Sequence, residues 1–171
     1  MRIVHKVLWC LMLLVGVGEE SRAQDERVIP TDREALLQGL GMGLATYGEV
    51  NSYPGPKHVL ELKDELALTR DQQKKVEVLE NAVKISAGLK GEEIVQAEEE
   101  LFQLFELGTI NERVLRTKLE QIGKLRAELR FVHLQAHIRT KQILSADQIK
   151  RYNTLRGYEI KSENDPARQD H

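Results

Sequence analysis

Cysteine is almost missing from this chain, since 171 residues hold one, Cys10. It lies inside the first hydrophobic stretch, so the remainder forms no internal disulfide and its fold rests on packing alone. Aromatic residues make up 5% of the sequence and prolines number four, against 30% charged residues. That balance belongs to long solvated helices around a Leu/Ile/Val seam. Charge of neither sign prevails: 25 Lys and Arg face 27 Asp and Glu, which argues against a nucleic-acid partner. The hydrophobic run Val7 to Gly18 extends for twelve residues, well short of the roughly 20 that a membrane-spanning helix needs. Also lacking are a Gly-rich phosphate loop, a nucleophile elbow and a paired-cysteine metal motif. Serine and threonine fall mainly at helix starts, which leaves a hydrolytic triad without a nucleophile. The chain is not expected to be an enzyme.

The first residues carry an address. Arg2, His5 and Lys6 precede the apolar run, and Glu19, Glu20 and the small-X-small triplet Ser21-Arg22-Ala23 follow it. This is the layout of a secretory signal peptide over residues 1–23, with cleavage before Gln24. A lipid anchor on Cys10 is opposed by Trp9, bulky where that signal wants a small residue. About 148 residues remain after cleavage, with a net charge near −3, enough for one domain with a core.

Four Ser or Thr residues are followed three positions later by Glu or Gln: Thr31 with Glu34, Thr69 with Gln72, Thr109 with Glu112, and Ser145 with Gln148. In such a capping box the hydroxyl accepts one orphan backbone N–H, and the longer side chain reaches back to the N–H of the cap itself. The boxes predict four helix starts. At the last, Leu144 and Ile149 are placed to form a hydrophobic staple.

From Thr69 the apolar residues Val76, Leu79, Val83, Ala87, Ile94, Ala97, Leu101 and Phe105 step by three, four or seven. They predict an amphipathic helix to about Leu107, halted at Gly108. Gly88 and Gly91 fall in its middle and suggest a local bend. A second stripe, Leu115, Leu119, Ile122, Leu125, Leu129, Val132, Ala136 and Ile143, predicts a second long helix from about Ile110. The short join makes the two an antiparallel hairpin. Shorter helices are expected over about 57–67 and 146–156; they cover part of the seam, and a second copy of the chain is expected to cover the rest. The segment from Gly39 to Pro56, with five glycines and two of the prolines, reads as an arm. Residues 24–52 thus form an N-terminal arm, 53–158 the helical domain, and 159–171 a polar tail taken as flexible.

Few residues invite chemistry. His133 and His137 are four apart, so their rings can share a helix face and chelate a divalent ion such as zinc or nickel, with a third ligand from Glu128, His58 or an acid elsewhere. Against this, Arg126 and Arg130 lie in line with them, and a basic neighbourhood disfavours a cation. A structural role for the pair stays open beside the metal site. No other cofactor is expected. Phe102, Phe105 and Phe131 lie on or near the apolar stripes, and read as core residues or, alternatively, as a binding surface.

The boxes Leu68-Thr69-Arg70-Asp71-Gln72 and Leu144-Ser145-Ala146-Asp147-Gln148 resemble the paired LTxxQ motifs of the Spy/CpxP family of periplasmic proteins, which is related to periplasmic heavy-metal sensor and resistance proteins. The similarity covers about residues 53–158, with Ser145 where threonine is usual; serine caps as well. The resemblance implies a periplasmic location and a four-helix protomer, dimerised into an antiparallel cradle. It also implies an ATP-independent chaperone or envelope-stress adaptor that binds unfolded clients or the periplasmic domain of a sensor kinase. By the same resemblance, Arg126, Arg130 and His133 would contribute to a basic client-binding surface. The metal-sensor relatives imply the alternative, a divalent ion held by His133 and His137.

Overall fold

The computed structural model describes residues 32–158, whose regular elements are all helices, with no strand among them. The expected signal peptide with its cleavage site before Gln24, Thr31 and the expected tail 159–171 lie outside the described residues. Six helices follow in order: α1 (Arg33–Leu37), α2 (Thr46–Glu49), α3 (Pro56–Glu61), α4 (Arg70–Glu106), α5 (Glu112–Ile143) and α6 (Ala146–Arg156). No helix among the described residues is long and apolar enough to cross a membrane.

The two long helices pack together as the expected hairpin. At 37 residues and a rise of 1.5 Å per residue, α4 is about 55 Å long. It ends where glycine permits a left-handed turn. Gly108 has φ 63, its N–H donates to Phe105 O at 3.0 Å, and the N–H of Thr109 donates to Leu104 O at 3.1 Å, the two-bond closure of a Schellman motif. This closure corrects one expected helix start. Thr109 is consumed in ending α4, and Asn111 caps α5 instead, its Oδ1 accepting from the Val114 N–H at 3.1 Å. At α1 the residue before the helix is Asp32, whose carboxylate makes no cap bond and turns to Arg126 at 2.9 Å.

The other two boxes form in full, and they meet. Thr69 and Ser145 each accept from the N–H three residues on, while Gln72 and Gln148 accept from the N–H of Thr69 and Ser145 in return. Each glutamine then uses its amide group across the structure. Gln72 Nε2 donates to Gln148 Oε1 (2.8 Å) and Ile143 O (2.9 Å), and Gln148 Nε2 donates to Gln72 Oε1 (3.1 Å) and Leu66 O (3.2 Å). Capping needs only an acceptor, which glutamate also supplies. The cross-links need a donor as well, and this is a physical reason for glutamine at both positions.

Two apolar clusters hold the hairpin. At its base Val59, Leu66, Val76, Leu144 and Tyr152 are buried together, with Ile149 packed against them beside its staple partner Leu144. Midway, Leu36 of α1 is enclosed by Ala87, Ile94 and Val95 of α4 and Leu129 of α5. The second cluster exists because α4 carries glycine where α1 crosses it. A Cβ built on Gly91 would lie 2.0 Å from the carbonyl oxygen of Leu36, and helix α4 runs unbroken through both Gly88 and Gly91. Gly91 therefore serves close approach.

The helix expected over 57–67 ends sooner, at Glu61. Leu62 to Ala67 continue as turns that bury Leu66 and direct its carbonyl to Gln148. A larger departure concerns the hairpin tip. From Glu98 to Gln121 no residue is buried. Phe102 and Phe105 of the tip are 42% and 55% exposed, and Phe131, on the mid-portion of α5, is 61% exposed. The reading of the three phenylalanines as core is corrected: among the described residues no short helix reaches the tip to cover Phe102 and Phe105, and Phe131 lies on an uncovered side of α5.

Candidate functional site

The arm from Gly39 to Pro56 folds back along α5, and between them and α3 and α4 opens a cleft of about 600 Å³. Its walls carry Leu40, Met42 and Val83 beside Glu80, Lys84 and Arg156, with His133 and His137 set into the α5 side. Helical spacing of four puts both rings on one face, as expected. Both are covered, which the seam position did not foretell. His133 is 7% exposed, and the His137 side chain 12%. Glycine again makes the contact: a Cβ on Gly55 would lie 2.9 Å from the His137 ring.

His137 reports its own protonation pattern. Its Nδ1 stands 2.7 Å from the carbonyl oxygen of Tyr53, which only accepts, so Nδ1 carries the proton. Glu49 Oε2 lies 3.4 Å from the same nitrogen. Glu49 is itself buried, 8% exposed, and it gathers groups from the C-terminal end of the fold. Tyr152 donates to Oε1 in a short hydrogen bond, Tyr158 donates at 3.4 Å, and Arg156 Nε stands 3.7 Å away. Burial, then the bond to Glu49, pushes the Tyr152 phenol well above its usual range, so it remains a neutral donor. The cluster ties the arm to α5 and α6. Glu49 was missed in the sequence, although a signal existed: it is the sole charged residue from Gly39 to Pro56, and a lone charge among small and apolar residues is buried only with partners.

The remaining expected residues are dispersed. Arg126 joins three elements, with Asp32 at 2.9 Å and Glu98 of α4 at 2.9 Å. Its charge is balanced at home. Arg130 is exposed and lies over the Tyr47 ring, 5.2 Å from the centroid. His133, buried beneath the arm, offers no open surface to a client in this arrangement. As third ligands for a metal, Glu128 is paired with Lys90 at 2.9 Å and His58 with Glu61 at 2.8 Å. Among the described residues no three His, Cys, Asp or Glu side chains gather as a metal ion requires. Glu80 in the cleft wall has its carboxyl pushed up by burial.

His133 supplies a pH-dependent term. Burial first, and His137 second, lower its pKa below the ordinary 6.5, and its Nε2 has no hydrogen-bond partner among the described residues. As pH falls through about 6.5 the unfolded chain takes up this proton while the folded chain resists it, so stability drops toward acid. At higher pH both forms are neutral and the term vanishes. His133→Leu should therefore unfold at a higher temperature than the parent at pH 5.5, with a smaller difference at pH 7.5. Circular dichroism melts at the two pH values check this, and an equal difference at both would refute it.

Comparison with protein-family models, with curated proteins and with solved structures finds no match to this chain.

Proposed function

We propose that the protein is an exported, Spy/CpxP-like binding protein of the periplasm, an ATP-independent chaperone or envelope-stress adaptor that holds unfolded segments of other proteins. The observation that carries this reading is the bare tip of the hairpin. Phe102, Phe105, Leu107 and Leu119 stand 42% to 72% exposed there, with no third element beside them among the described residues. Exposed apolar residues grouped in this way mark binding surfaces, and their setting among Glu and Lys side chains suits polypeptides of mixed sequence. A second copy of the chain, laid antiparallel, is proposed to complete the cradle. The basic contribution to such a surface falls to Arg130 rather than to Arg126 or His133.

The test is suppression of aggregation of a chemically unfolded client by the purified protein. Replacing Phe102, Phe105 and Phe131 together by serine should lower that capacity at least tenfold. Exposed substitutions of this kind change stability by only about 0.5 kcal/mol each, so the helical spectrum should persist. Undiminished suppression by the triple variant, or none by the parent, would overturn the proposal.

A further inference from the structure

A face of α5 is already occupied, and by the chain itself. Arg126 holds Asp32, Arg130 covers the Tyr47 ring, and His137 donates to the Tyr53 carbonyl. The Lys141 ammonium sits 3.8 Å over the Tyr53 ring. A Cβ on Gly41 would lie 3.8 Å from His133 Nδ1. These five positions of α5 recur every three or four residues, so they line one face. Apart from Glu98 of α4, which also holds Arg126, every partner falls between Asp32 and Tyr53.

The covering segment buries little apolar surface and is pinned chiefly by Glu49 and by Ser52, whose hydroxyl accepts from Asn153 at 2.8 Å. Between Leu37 and Tyr53 only Ala45 and Glu49 are buried. Met42 and Ser52 take positive φ angles of 43 and 66, which side chains other than glycine resist. Its contacts to α5 are a backbone carbonyl, two tyrosine rings and one carboxylate, that of Glu49, groups that an acidic, tyrosine-bearing polypeptide offers. A segment with few buried apolar contacts and strained backbone opens at lower free energy than the core on which it lies.

We propose that residues 39–53 are a strap: an internal stand-in for a segment of another polypeptide, seated on a peptide-binding face of α5. A segment of the same chemistry in another molecule takes that place when the strap lifts. The aromatic rings of the incoming segment meet Arg130 and Lys141, and its backbone carbonyl accepts from His137. Tethering gives the strap an effective concentration on the order of millimolar, so the closed form is the resting state. This inference rests on the reading that the protein binds polypeptides, and it adds how one binding face is regulated.

The strap can be pinned without touching its ends. A Cβ on Gly48 would lie 3.5 Å from the Cβ of His137, a separation that a disulfide bridges. In the full chain carrying Cys10→Ser, Gly48→Cys and His137→Cys, oxidation pins the strap and reduction frees it within one sequence. A second chain, Tyr47→Ala with Tyr53→Ala, loosens it. The probe is a fluorescein-labelled peptide of residues 39–56, followed by anisotropy. The loosened chain should bind the peptide at least tenfold more tightly than the parent, and the oxidised chain at least tenfold more weakly than its reduced form. Equal affinity in the two redox states overturns the proposal, whether or not the loosened chain folds, and so does a folded loosened chain that binds no better than the parent. Lock-sensitive peptide binding in a chain that does not suppress aggregation would sink the proposed function and leave the strap standing. Aggregation suppression with lock-insensitive peptide binding would do the reverse.

Discussion

Replacing Gly91 by alanine is expected to destabilise the protein by about 3 kcal/mol, on the order of 10 °C in Tm, while the same replacement at Gly88 is expected to stabilise it by up to about 1 kcal/mol. In a helix interior alanine is favoured over glycine, so intrinsic propensity predicts a gain at both positions. Packing reverses the sign at one of them. The new methyl at residue 91 would lie 2.0 Å from the Leu36 oxygen and 2.5 Å from its carbonyl carbon, and backbone atoms cannot turn aside as the end of a flexible side chain can. Helix α1 has to move, and Leu36, fully buried against Ala87, Ile94 and Leu129, leaves its place. Re-exposing one leucine costs about 1.5–3 kcal/mol, before any loss from the Arg33–Glu99 and Asp32–Arg126 pairs. At residue 88 the nearest backbone atom, Leu37 O, would be 3.5 Å away, an ordinary contact. Thermal unfolding of the two variants checks the prediction; changes of the same sign would show that α1 does not cross α4 at this point.

Gln72→Ala is expected to cost about 3 kcal/mol, against about 1 kcal/mol for Thr69→Ala. Removal of the Thr69 hydroxyl deletes one cap bond. Removal of the Gln72 amide deletes its bond to the Thr69 N–H, its bond to Ile143 O and both bonds to Gln148, at about 1 kcal/mol for each net hydrogen bond. Gln72→Glu separates the two jobs. Glutamate still accepts from the Thr69 N–H but donates nothing to Ile143 O or Gln148, so most of the loss should remain although the box is intact. A combined Gln72→Ala, Gln148→Ala variant should lose less than the two single losses added, because each single change already breaks the pair they share. Urea unfolding of these variants and of Gln148→Ala alone measures this. Additive losses, or a glutamate variant as stable as the parent, would show that the glutamines act only as separate caps.

Those glutamines also mark how far the sequence could be read. Capping boxes are local, and the residues at 69, 72, 145 and 148 announced the starts of α4 and α6 because hydroxyl and amide act within one turn. That the two boxes bond to each other depends on the hairpin bringing residues 72 and 148 together, which no local spacing expresses. The apolar stripes foretold Val76, Ala87, Ile94, Ala97, Ile122, Leu129 and Ala136 as buried, since a period near 3.6 places them on one side of a helix. The same period ran on to Phe105, where there is nothing to pack against. Burial needs a partner, and periodicity does not record one. Thr109 shows competition between neighbours: the left-handed turn at Gly108 drew its amide into the end of α4, and Asn111 was left to begin α5. At the site, the shared face of His133 and His137 was legible, whereas their burial depended on an arm more than 80 residues earlier in the chain.

The tip of the hairpin gives the molecule an uneven resistance to opening. From Glu98 to Gln121 the two helices are joined across their interface by the Lys118–Glu100 pair and partly covered side chains, while the base has a closed apolar cluster and four amide cross-bonds. Amide protons of the tip should exchange with solvent through local fraying, at a free energy below that of the base. Any partner that settles on the tip therefore tightens helices that are only loosely zipped in the free chain. Association there has the heat-capacity signature of partial folding, and slowed exchange between Glu98 and Gln121 would map its footprint.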